Sequence, residues 1–67
     1  METFKEKIDR LQRMVNKIPF KELSTERFEA RKLYNTAALE KRSEKLNTAS
    51  IIISMIEDRM LRGKNEI

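Results

Sequence analysis

The chain contains no cysteine and no histidine, and its 67 residues include one glycine and one proline. Without cysteine, disulfides and thiolate metal sites are excluded, and cysteine usage says nothing about the compartment. Without histidine, the usual zinc ligand and the usual general base are missing. A chain this short is near the lower size limit for an independent core and generally needs an additional source of stability. Association with another subunit is the source that remains.

Long hydrophobic runs are missing as well. The longest apolar-rich stretch covers residues 49–56 and is interrupted by Ser50 and Ser54. This is far shorter than the run of about 20 residues that a membrane-spanning helix requires. The first seven residues include no apolar run, so they do not form a signal peptide. These absences predict a cytoplasmic protein with no membrane partner.

Residues that could carry catalysis are sparse. Ser50 and Ser54 share a helical face, but the chain offers no base to activate either hydroxyl. Glu40 and Glu44 also share a face, yet they lie among Lys and Arg, which is typical of surface ion pairs. There is no glycine-rich phosphate loop, and nothing supplies further oxygen ligands for Mg²⁺ or Ca²⁺. We predict a protein that is not an enzyme and has no metal, cofactor or small-molecule ligand.

The sequence instead shows two helical patterns and no strand pattern. The first predicted helix covers about residues 3–18 and ends because Pro19 excludes the preceding residue from helical geometry. Residues 19–24 form a connector, and a second helical pattern covers about residues 25–62. Gly63 then suits the position after a helix end, and residues 63–67 are expected to fray. The whole chain is predicted to be a single all-α domain.

The two helices are predicted to form a hairpin of unequal arms. Apolar residues on the first helix recur at steps of 4, 3, 4 and 3, which places them on one face. That face is expected to pack against the first part of the second helix. The residues of this intramolecular seam are Phe4, Ile8, Leu11, Val15, Ile18, Phe28 and Tyr34.

The far end of the second helix is the most apolar part of the chain. Residues 51–61 place isoleucine, methionine and leucine around nearly the whole helix circumference. At 1.5 Å per residue the two helices would measure roughly 24 Å and 57 Å, so the first cannot cover this end. Exposed apolar surface of this kind usually marks a binding site, and we predict a homodimer with a four-helix or coiled-coil-like arrangement. The predicted oligomer interface consists of Leu46, Ala49, Ile52, Ile53, Ile56 and Met60.

A polar interval at residues 40–45 leaves a second geometry open. The helix can break near residues 43–48, with Asn47 or Thr48 as a new cap, and close into a compact three-helix bundle. We favour the unbroken helix, because this interval contains good helix formers and neither Gly nor Pro.

Charge is abundant, at 39% of residues, with a surplus of four positive charges. On the first helix and the connector, basic residues fall into one sector beside the apolar face. Cations spaced in this way suit the phosphates of a nucleic acid or an acidic protein surface. This candidate anion-binding stripe consists of Lys7, Arg10, Arg13, Lys17 and Lys21.

These observations favour a small helical association module. We expect it to self-associate through the isoleucine-rich end and to bind another protein, as regulators, inhibitors, scaffolds and chaperones do. The alternative is a dimeric nucleic-acid-binding regulator that uses the basic stripe on the first helix.

Overall fold

The computed structural model describes the backbone of residues 1–65 and the side chains of residues 1–63. Within these residues the chain forms α1 (Phe4–Asn16), a 3₁₀ turn (Phe20–Glu22), α2 (Leu23–Leu39) and α3 (Ser43–Asn65), with no strand. The predicted all-α class is therefore confirmed. The three helices pack into one unit that measures 40 × 26 × 15 Å.

Helix α1 begins at a capping box. The Glu6 backbone N–H donates to Oγ1 of Thr3 at 3.1 Å, and the Thr3 N–H donates to Oε1 of Glu6 at 3.3 Å. This arrangement satisfies two backbone donors that the first turn of a helix would otherwise leave without partners. The helix ends at Asn16, slightly before the expected end, and the chain turns at Lys17 and Ile18 ahead of Pro19.

The predicted unbroken helix over residues 25–62 is wrong. Helix α2 ends at Leu39, and Lys41 adopts a left-handed backbone conformation with a φ of 57°. The Lys41 N–H then donates to the Ala38 carbonyl at 3.3 Å, and the Arg42 N–H donates to the Ala37 carbonyl at 2.9 Å. These two hydrogen bonds define a Schellman motif, which commonly ends helices.

The structure instead takes the three-helix form that was left open as the alternative, with the break at residues 40–42 rather than 43–48. Asn47 and Thr48 do not cap a new helix, because both lie within α3. The Thr48 hydroxyl donates to the Glu44 carbonyl at 3.0 Å, one turn earlier in the same helix.

The reversal at residues 40–42 makes α2 and α3 antiparallel neighbours. Arg27, near the start of α2, lies beside Leu61, whereas Tyr34 lies beside Leu46. The contact between these helices is lined by alanine, whose short side chain allows two helix backbones to approach closely. The fully buried residues of the unit are Leu11, Val15, Leu23, Ala30, Ala37, Ala49 and Ile56.

The isoleucine-rich part of α3 receives cover from both other helices. Val15 of α1, Leu23 of α2 and Ile56 of α3 form one buried cluster. Partly buried apolar side chains surround it: Ile18, Ile52, Met55 and Met60. This end therefore has partners within the chain, contrary to the prediction, because the break in the second helix brings both α1 and α2 against it.

Arg59 joins the end of α1 to α3. Its Nη1 atom donates to the carbonyl oxygens of Val15 and Ile18, the latter at 2.7 Å. The Val15 carbonyl also accepts from the Ile18 N–H at 3.1 Å, and the guanidinium adds a charged donor to it and to the Ile18 carbonyl just after the helix. The positive charge is also favourable beside the negative end of the helix dipole.

Gly63 does not end the last helix, which continues to Asn65. Its bare face lies against the ring of Phe20, and a side chain at position 63 would collide with that ring. Close packing, rather than helix termination, explains the glycine. Of the predicted frayed tail, residues 66–67 and the side chains of residues 64–65 lie outside the described residues.

We expect Lys41→Gly to stabilise the protein. A residue with a Cβ atom pays roughly 1 kcal/mol in the left-handed region, whereas glycine does not. Part of this gain is offset by the greater freedom of glycine in the unfolded chain, so the free energy of unfolding should rise by about 0.5 kcal/mol or more. The matched control is Glu40→Gly, because Glu40 has a right-handed φ of −83°. Denaturant unfolding should show a higher free energy of unfolding for Lys41→Gly and a lower one for Glu40→Gly. A lower value for Lys41→Gly would contradict the left-handed conformation at position 41.

Removal of the Arg59 guanidinium should loosen α1. Arg59→Met retains an apolar side chain but leaves the carbonyls of Val15 and Ile18 without their charged donor, at an expected cost of about 1.5–3 kcal/mol. Arg62→Met is the control, since Arg62 is exposed and pairs with Asp58 on the surface at 3.0 Å. Amide hydrogen exchange should accelerate in α1 for the first variant only. Equal exchange in the two variants would mean that Arg59 does not anchor α1.

Candidate functional site

Every aromatic side chain of this protein is exposed. Phe4, Phe20 and Phe28 expose half or more of their surface, and Tyr34 exposes 38%. The core is instead built from leucine, valine, alanine and isoleucine. Aromatic residues contribute large contact areas and are enriched where proteins bind one another. The surface around them is therefore the first place to look for a binding site.

An open groove runs between α2 and α3. Its central part has a volume of about 600 Å³. Its central lining residues are Phe28, Arg31, Lys32, Tyr34, Asn35, Ser50 and Ile53. From Ser50 and Ile53 it continues along α3 to Glu57 and Leu61, which lie beside Arg27, and at the other end it continues past Leu46. We call this surface the α2–α3 groove.

The groove lies on the side of the α2–α3 pair that faces away from α1. Glu57 lines it, whereas Arg59 binds the end of α1. Because Glu57 and Arg59 are two residues apart on an α-helix, their side chains point in directions about 160° apart. The pair of helices thus has two long sides: α1 covers one, and the other is open.

The open side has the dimensions of a helix-binding site. From Leu46 to Leu61 the α3 wall extends about 22 Å at 1.5 Å per residue, which is the length of a four-turn helix. Leu61 is 63% exposed and Phe28 is 61% exposed. Ser50 and Ser54 are small enough to let another backbone approach. Apolar side chains at helical spacing, flanked by small residues, are typical of grooves that bind an amphipathic helix.

The two edges of the groove carry opposite charge. The α2 edge has Arg27, Arg31 and Lys32, whereas the α3 edge has Glu57 and, beyond it, Asp58, which pairs with Arg62 at 3.0 Å. Lys32 lies 5.4 Å from the centroid of the Phe28 ring, within reach of a cation–π interaction, and 4.0 Å from a carboxylate oxygen of Glu29. Any partner in the groove therefore meets a basic edge and an acidic edge.

The six residues predicted as an oligomer interface do not form one surface. Ala49 and Ile56 are buried inside the chain, with Ile56 only 1% exposed. Ile52 and Met60 are partly buried against the core cluster. Leu46 and Ile53 remain partly exposed and line the α2–α3 groove. The set divides because α1 and α2 pack on different sides of α3.

The predicted seam divides in a similar way. Leu11 and Val15 are buried, and Ile8 and Ile18 are half-buried. The aromatic members Phe4, Phe28 and Tyr34 are exposed.

A wheel projection of α2 contains the signal for the exposure of Phe28, but not for that of Tyr34, which lies four residues after Ala30 and three before Ala37. Phe28 is two residues from the buried Ala30, so the two side chains point in nearly opposite directions. The position of Arg27, Arg31, Lys32 and Leu61 along the groove was not foreseen, because it depends on how the helices pair.

The basic stripe lies on the surface of α1 and the connector. Lys7 is half-buried, and Arg10, Arg13, Lys17 and Lys21 are exposed.

One cation of the stripe already has a partner. Nε and Nη2 of Arg10 donate to the two carboxylate oxygens of Glu2 at 2.8 and 3.2 Å. These hydrogen bonds hold the pKa of Glu2 below its ordinary value and raise the pKa of Arg10. Above the pH at which Glu2 ionises, Arg10 is therefore neutralised and contributes less to anion binding.

Other kinds of site find little support in the part of the chain that the structure describes. No group of three or more acidic side chains there is arranged to hold a metal ion. None of its helices combines the length and the apolar character needed to cross a membrane. Comparisons with models of known protein families, with curated proteins and with solved structures found no match.

Truncation of Phe28 should leave the fold intact. At protein concentrations where the chain is monomeric, Phe28→Ala is expected to change the free energy of unfolding by about 0.5 kcal/mol or less, as is usual for surface substitutions. Leu23→Ala is the matched control from the same helix, because Leu23 is fully buried. The free energy of unfolding of Leu23→Ala should be lower than that of the wild type by about 2–5 kcal/mol. Thermal unfolding with similar losses for both would show that Phe28 supports the core rather than a binding surface.

Proposed function

We propose that this chain is a non-enzymatic association module whose α2–α3 groove binds a helix of another protein chain. The observation that carries this proposal is the open side of the α2–α3 pair, with exposed Phe28, Tyr34 and Leu61 along it. Apolar surface of this extent on a small protein generally marks a binding site. A chain of this kind acts by occupying a helix of its partner, as regulators, inhibitors, scaffolds and chaperones do.

The proposal keeps self-association and partner binding but moves both away from the isoleucine-rich end. That end was expected to need a second chain because nothing within the chain covered it. Since α1 and α2 now cover Ile52 and Ile56, the proposal uses the groove, where Phe28, Tyr34 and Leu61 still have apolar area to bury.

The expected strength of binding follows from the size of the side chains. Full burial of a phenylalanine, leucine or isoleucine contributes about 1.5–3 kcal/mol. Each 1.4 kcal/mol corresponds to tenfold in affinity. Leu61 is 63% exposed in the free chain, so its truncation should weaken docking by about tenfold.

The nucleic-acid alternative has one observation in its favour. Arg13, Lys17 and Lys21 are exposed and have no ion-pair partner among the residues that the structure describes. The pairing of Arg10 with Glu2 and the presence of Glu6 on the same helix weaken the stripe. We therefore keep phosphate binding as the second candidate. Such binding would weaken steeply as salt rises.

A photo-reactive benzoylphenylalanine at Ser54, on the edge of the groove, tests the docking proposal. In cells that produce the chain, ultraviolet light should yield a discrete adduct of higher mass. The same group at Asp9, exposed on α1, is the positional control. Ile53→Asp should abolish the Ser54 adduct, because a carboxylate in the groove opposes burial.

Circular dichroism must show that the Ile53→Asp variant retains its helices. The absence of an adduct at Ser54, or the same adduct at Asp9, would reject the groove as the docking surface.

A further inference from the structure

The charges at the edges of the α2–α3 groove are complementary to each other. Arg27 on α2 and Glu57 on α3 lie at the same end of the groove, on opposite edges. A second copy of this surface, turned so that its basic edge meets the acidic edge of the first, would match charge on both sides at once. A second copy is thus an occupant whose charges are complementary to the groove by virtue of this sequence alone.

We propose that the chain that docks on the groove side of the α2–α3 pair is a second copy of this chain, related to the first by a two-fold axis parallel to the helices. This inference rests on the proposed function, since it names the partner of the same groove. The resulting dimer contains α2 and α3 of both copies as a four-helix arrangement, with each α1 packed on the outside.

The choice of axis follows from the antiparallel arrangement of α2 and α3. Two such pairs can meet face to face in two symmetric ways. An axis perpendicular to the helices places α2 on α2, which brings the basic edges of the two copies together. An axis parallel to the helices places α2 of each copy on α3 of the other. Since like charges in contact are unfavourable, the parallel axis is selected.

The parallel axis also sets the register. Rotation about an axis along the helices leaves the height of every residue unchanged. Because Arg27 and Glu57 already share one height within the chain, Arg27 of one copy comes to lie beside the partner's Glu57. Symmetry repeats this pair, so the dimer contains it twice. The apolar side chains of Tyr34 and Ile53 meet between the two pairs and lose their contact with water.

A charge exchange between two variants tests this dimer. Arg27→Glu alone and Glu57→Arg alone each place like charges in contact twice per dimer. Each should weaken self-association by at least about tenfold in Kd. An equimolar mixture of the two variants restores opposite charges at both positions and should form a heterodimer. Sedimentation equilibrium measures the mass, and a mass tag on one variant identifies the mixed species.

Charge changes of the same size on α1 are the matched controls. Arg13 and Asp9 are exposed and lie outside the groove, so the variants Arg13→Glu and Asp9→Arg should leave the dimer intact. Circular dichroism of each variant checks that the helices are retained.

The possible failures separate the two proposals. A wild-type chain that is monomeric throughout, but whose Ser54 position crosslinks to a different protein, overturns the dimer and keeps the groove as a docking site. A monomer without any Ser54 adduct overturns both. A dimer that the single variants leave unchanged, or that the mixture does not restore, overturns the pairing of Arg27 with Glu57.

Discussion

The left-handed turn at Lys41 is the constraint on which the rest of the structure depends. It ends α2, reverses the chain and allows Ala30, Ala37 and Ala49 to bring two helix backbones close together. Without the turn the isoleucine-rich half of the second helix would extend away from α1. With it, α1 and α2 cover that half from two sides, and one long side of the α2–α3 pair remains open.

Sequence patterns predicted α1 well because its determinants are local. Heptad spacing identified Leu11 and Val15, and Pro19 located the end of the helix to within two residues. The break between α2 and α3 was not predicted, because the amino-acid sequence carries only a weak signal for it. Glycine usually occupies the left-handed position of this motif, and here a lysine does. The hydrogen bonds that stabilise it become visible only in three dimensions.

The groove could not be predicted from the sequence for a related reason. Whether Phe28 and Tyr34 face a neighbour or water depends on which side of α2 the other helices occupy. On α2 the alanine face packs, since it permits the closer approach: Phe28 lies nearly opposite Ala30, whereas Tyr34 lies between Ala30 and Ala37 in helical spacing and borders the packed face. The larger side chains are left on the surface. Residue size alone therefore pointed to the wrong face, while the direction of Ala30 and Ala37 pointed to the right one.

The Arg59 contact has a consequence for the order in which the protein folds. The α2–α3 pair is closed by a short turn, whereas the hydrogen bonds from Arg59 to Val15 and Ile18 join residues 44 and 41 positions apart. Contacts across a longer loop cost more chain entropy and form later. We therefore expect the α2–α3 hairpin to be the first cooperative unit and α1 to dock last. By the same reasoning α1 is the first element to open in the native state, and its departure uncovers the isoleucine-rich face while the hairpin stays folded.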